Sequence, residues 1–180
     1  MIYTRLPSNK VLWDFSLFLD EMHRHDGGER CDPSPEREFK GLLGQRRLAY
    51  LTGGDMDMAV RRYGDGGVDQ KLNTIHGQYP SDVKTAKKPT FLAVPVEDIV
   101  KDMAKGEPKI YILAELLNAE QDRMKWDAEL LVWNWASKLA KAPTRTFPPF
   151  TILNHCIPRN ENRDIYELLA LCNREWQRGA

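Results

Sequence analysis

The segment from Gly67 to Lys84 constrains the chain more than any other. Two runs of alternating apolar residues, Val68–Ile75 and Tyr79–Val83, are separated by His76-Gly77-Gln78. This pattern predicts a β-hairpin. Residues i and i+2 of a strand project to the same face, so Asp82 and Lys84 stand side by side. Asp69, early on the first strand, is placed to join them across the hairpin. Two carboxylates beside one ammonium form a small divalent-cation site with a cation at hand for a water or an oxyanion.

The stretch Tyr63-Gly64-Asp65-Gly66-Gly67-Val68-Asp69, followed by Ser81-Asp82-Val83-Lys84-Thr85, resembles the signature of the PD-(D/E)XK nuclease superfamily in its phage and archaeal form. The resemblance covers roughly residues 36 to 135. It implies an α/β, restriction-endonuclease-like core: a central mixed sheet flanked by helices. It further implies that Asp69, Asp82 and the Val83 carbonyl bind Mg2+ or Mn2+, and that Lys84 orients the attacking water. Relatives often add a helix acid in a Gly-Glu pair, where this chain has Gly44-Gln45. Glu38 lies seven residues before Gln45, about two helical turns, and so shares its face. Either Glu38 replaces the missing acid as a metal ligand, or Gln45 serves as a neutral ligand or phosphate contact. Asp65 competes with Asp69 but is better read as turn chemistry. The implied function is metal-dependent hydrolysis of DNA in phage or prokaryotic DNA processing. The rival is an inactive nuclease-fold module for DNA binding or assembly.

Composition sets wider limits. With 180 residues, 42% hydrophobic and 29% charged, the chain suits a single globular domain. Residues 1–30 read as a helical extension, 31–135 as the core and 136–180 as a helix-and-loop region. No apolar run reaches the length of a membrane span, and the first residues lack the build of a secretory signal. A cytoplasmic location is expected. Cys31, Cys156 and Cys172 form no Cys-x-x-Cys pair and are expected as reduced thiols.

The formal net charge is zero, so any DNA contact must come from local patches. Arg46-Arg47, Arg61-Arg62, Lys84 with Lys87-Lys88, and Lys138, Lys141 and Arg145 are the available clusters, each of which also suits a solvated face. Trp126, Trp133 and Trp135 read first as packing and second as stacking platforms for bases. A homo-oligomer is compatible with the sequence.

Periodicity predicts helices over Lys10–Arg24, Pro35–Tyr50 and Val96–Ala104, with Ser34 as an N-cap and Gly53-Gly54 as a stop. It predicts strands over Met56–Tyr63, Thr90–Val94, Lys109–Leu116 and Thr151–Ile157, and a strand over Glu129–Trp135 for which a helix is the alternative. A short helix over Ser137–Lys141 and a closing helix over Arg163–Arg178 complete the reading. Gly41 and Gly44 weaken the second helix but permit close approach of a sheet or a phosphate backbone.

Overall fold

The computed structural model describes residues 6–25, 34–54, 56, 70–148 and 151–172. The expected strand Met56–Tyr63 (except Met56), the turn at residues 64–67 and Asp69 lie outside the described residues, as do Cys31 and Arg61-Arg62. In chain order the elements are α1 (Asn9–His25), α2 (Pro35–Thr52), β1 (Gln70–Thr74), β2 (Gly77–Ala86), β3 (Phe91–Pro95), α3 (Val96–Lys105), β4 (Ile110–Leu117) and β5 (Asp127–Trp135). They continue with α4 (Ala136–Leu139), β6 (Thr144–Arg145), β7 (Asn154–Pro158), β8 (Arg163–Asp164) and α5 (Ile165–Cys172).

Local chemistry explains the bounds of α2. The Ser34 hydroxyl accepts from the Arg37 amide, Pro35 occupies the first turn, and Glu36 and Glu38 face the positive end of the helix dipole. At the other end Gly53 takes a left-handed φ of 65° and returns its amide to the Ala49 carbonyl.

A five-stranded mixed sheet in the order β1-β2-β4-β5-β8 forms the centre. β2 and β4 run parallel, and the remaining neighbours are antiparallel. β4 is the interior strand its apolar run predicts. Ile110, Ile112 and Ala114 enter one core with Leu12 of α1, Phe39 and Leu43 of α2 and Leu168 of α5. Tyr111 and Leu113 enter the other core, with Leu92, Ile99 and Ile157. The sheet therefore has α1, α2 and α5 on one face. The other carries α3, α4 and a second, three-stranded sheet in the order β3-β7-β6.

Three expectations change. β3 leaves the central sheet and pairs with β7, because its alternation fixes a strand but not a partner. The segment taken for an N-terminal extension is integral to the core. Leu12 is fully buried, and the Asn9 amide donates to the carbonyls of Met124 and Trp126, both at 2.8 Å. The helix-and-loop region expected over 136–180 contains the short strand β6.

Between Leu113 and Ala114 the β4–β5 register shifts. Leu113 faces Val132 but Ala114 faces Leu130, which leaves Leu131 as the extra residue of a bulge. Leu130 and Trp133 consequently both enter the α2-side core, whereas Val132 enters the other.

α2 approaches β2 closely at Gly44. A Cβ there would collide with Thr85 Oγ1 and come within 2.8 Å of Val83 Cγ1, whereas a Cβ at Gly41 would meet nothing within 4 Å. The neighbour that Gly44 admits is the sheet. Gly44→Ala is therefore expected to destabilise the fold by about 1–3 kcal/mol through overpacking, despite its gain in helix propensity. Gly41→Ala is expected to stabilise it by about 0.5–1 kcal/mol. Urea unfolding of both variants checks the opposite signs.

Candidate functional site

Alternation along β2 divides its residues between the two faces. Val83 and Thr85 meet α2, so Asp82 and Lys84 project from the opposite face, toward the layer of α3. The Asp82 and Lys84 side chains meet there, with Lys84 Nζ donating to Asp82 Oδ2 at 2.9 Å. Asp82 is only 4% exposed. Lys84 keeps 32% of its side chain open to solvent.

β4 supplies the neighbours, because parallel pairing sets Tyr111 beside Asp82. Lys109, two residues earlier and just 3% exposed, places its ammonium 3.7 Å from Asp82 Oδ2 and 3.0 Å from Asp102 Oδ2. Asp102 comes from α3, one turn beyond Ile99 on the buried side of that helix. It also accepts from the Tyr111 hydroxyl at 2.5 Å and pairs with Lys105 at 3.4 Å. The ring of Tyr111 lies under both amines, with Lys109 Nζ 4.7 Å and Lys84 Nζ 5.8 Å from its centroid.

The two buried acids are thus balanced by ammonium groups, as charge in a low-dielectric layer requires. Burial by itself would raise the Asp102 carboxyl. The Tyr111 hydroxyl and the Lys109 and Lys105 ammoniums outweigh it and hold the group below the ordinary carboxylate value. Burial, then the hydrogen bond to Asp102 and the charge of Asp82, push the Tyr111 hydroxyl far upward, so it remains a proton donor to Asp102.

Of the residues picked from the sequence, the structure brings together Asp82 and Lys84, with the Val83 backbone between them. Glu38 and Gln45 belong to the layer of α2. Both are half-buried on α2, whose apolar side packs against the opposite face of the sheet. Asp69 lies outside the described residues. The described pairing of β1 with β2 ends at Gln70 opposite Ser81, the residues that follow Asp69 and precede Asp82 in sequence. Lys109, Asp102 and Tyr111 were missed. Two signals were available: the Lys109-x-Tyr111 alternation on an otherwise apolar strand, and an acid at i+3 from Ile99.

Some members of the arginine and lysine clusters are engaged within the fold. Arg46 bonds Asp127 at 3.3 Å and also Asn9. Lys87 pairs with Glu120 at 3.9 Å, and the Arg145 guanidinium covers the Phe91 ring. A shallow groove of about 690 Å³ lined by Asn9, Lys10, Arg46, Lys125 and Trp126 includes neither Asp82 nor Lys84. With Arg46 paired inside it, the groove is a seam between α1, α2 and β5. No described helix is long and apolar enough to cross a membrane. No protein-family model, curated protein or solved structure matches this chain.

Proposed function

We propose that this protein is a metal-dependent deoxyribonuclease of the PD-(D/E)XK type, with a restriction-endonuclease-like core, acting in phage or prokaryotic DNA processing. The observation that carries the reading is the Asp82–Lys84 pair: an acid and an amine 2.9 Å apart on one face of a strand, with a third of the Lys84 side chain open to solvent. The mixed sheet with helices on both sides agrees with it.

The donor chemistry fits a hard cation in kind. A carboxylate and a backbone carbonyl are the oxygen ligands that Mg2+ or Mn2+ takes. Among the described residues, however, no group of three or more His, Cys, Asp or Glu is placed to hold an ion. In this proposal Asp69 completes the set with Asp82 and the Val83 carbonyl. Glu38 is left out because α2 covers the other face. When bound, the ion acidifies a water and neutralises charge on the scissile phosphate. Lys84 orients that water, or stabilises the added negative charge at the phosphate. Asp82, itself buried and also facing the buried Lys109, fixes where Lys84 points.

The test is cleavage of supercoiled plasmid and of single-stranded DNA with and without millimolar Mg2+ or Mn2+. Metal-dependent cleavage that EDTA abolishes is the expected result. Absence of cleavage on either substrate overturns the reading. One observation favours a second reading, a nuclease fold retained for DNA binding alone: Asp82 Oδ2 is already matched by Lys84 and Lys109. DNA binding without cleavage would select it.

A further inference from the structure

We propose that Lys109 is a built-in counter-ion that competes with a divalent cation for the Asp82 carboxylate, and that Asp102, fixed by Tyr111, restrains that competition. The proposal deepens the nuclease reading and rests on it for the position of the cation at Asp82. Lys109 does not belong to the Asp-x-Lys motif, yet it is the most deeply buried ammonium in the cluster. Its Nζ stands 3.7 Å from the same Oδ2 that Lys84 contacts, so an ion at that oxygen meets a fixed positive charge.

The distances also say what restrains Lys109. It sits nearer to Asp102, at 3.0 Å, than to Asp82. The Tyr111 hydroxyl shares the same Asp102 oxygen and fixes that carboxylate in place. Asp102 thereby draws the ammonium partly off Asp82, and the balance between the two acids sets how open Asp82 is to an ion. Such a site binds a divalent cation weakly on its own. It binds more tightly once an anionic phosphodiester adds negative charge beside Lys84.

Titration of Mn2+ alone, followed by loss of the free-ion EPR signal, tests this on the full chain as Lys109→Met, Asp102→Asn, the double variant and wild type. Far-UV circular dichroism reports folding. Lys109→Met is expected to tighten Mn2+ binding by about tenfold, because it removes the nearby positive charge. Asp102→Asn is expected to weaken binding, because it removes an acid that draws Lys109 away from Asp82. The double variant removes one buried charge of each sign, so it keeps the layer balanced and decides the matter if Lys109→Met does not fold. It is expected to bind Mn2+ more tightly than Asp102→Asn.

Unchanged or weaker binding on removal of Lys109 in a folded protein overturns the proposal, as does absence of Mn2+ binding in all four proteins. The outcomes separate it from the nuclease reading. Cleavage by wild type with no tightening in the variants removes this inference alone. Tightening without cleavage by wild type removes the nuclease reading and leaves competition at Asp82 standing.

Discussion

Lys84→Ala is expected to reduce Mg2+-dependent cleavage of DNA by about 100- to 1000-fold, the range that follows loss of one well-placed electrostatic donor. DNA binding is expected to be retained. A structural cost of about 1–3 kcal/mol is expected, because the Lys84 side chain is one-third open to solvent but its partner carboxylate is buried. Asp82 also retains Lys109 at 3.7 Å and is not left as an isolated buried charge. Lys84→Met, which keeps the length of the side chain without its charge, is expected to match the alanine variant in rate. Single-turnover cleavage of end-labelled DNA, with binding measured by anisotropy in Ca2+, separates chemistry from affinity. Cleavage by Lys84→Ala at the wild-type rate would remove Lys84 from the mechanism.

Trp133→Ala is expected to destabilise the fold by about 3–5 kcal/mol, measured by urea unfolding. Trp133 is fully buried, and its indole N–H donates to the Asp164 carbonyl at 3.0 Å, which ties β5 to β8. Its ring meets Trp135 edge-on at 5.5 Å and lies 4.3 Å from the Arg163 guanidinium carbon. Trp133→Phe keeps much of the packing but orphans the Asp164 carbonyl, and about 1–3 kcal/mol is expected for it. These contacts settle the ambiguity of the tryptophan cluster in favour of packing. Trp126 stacks on Phe39 at 6.0 Å, and Trp135 meets Tyr79 edge-on at 5.2 Å. A variant Trp133→Ala that unfolds with wild-type stability would contradict that assignment.

Much of the architecture was legible because its signals are local. The Ser34-Pro35 start and Gly53 stop of α2, the apolar run of β4 and the shared face of Asp82 and Lys84 each follow from a few neighbouring residues. What failed was non-local. Pairing of β3 with β7 joins segments about sixty residues apart, and alternation along β3 carries no address for its partner. The same limit hid the site's second half. Asp102 and Lys109 reach Asp82 only because β2 and β4 pair in parallel across the α3 connection. The helix acid illustrates a related limit. A seven-residue spacing places Glu38 and Gln45 on one side of α2, but it does not say which face of the sheet α2 will cover. Gly44 carried that information, since so close an approach required a partner, and the partner is the Val83–Thr85 side of β2.

Leu131 makes β5 a strand whose parity changes midway. Loss of that single codon would not merely shorten the segment. It would exchange the destinations of every residue on one side of the deletion, sending an indole built for one layer into the other or turning Leu130 away from its neighbours. A homologue with one residue fewer between Leu130 and Trp133 would carry the same transposition, so that spacing is a ruler by which true relatives of this chain can be told from chance ones.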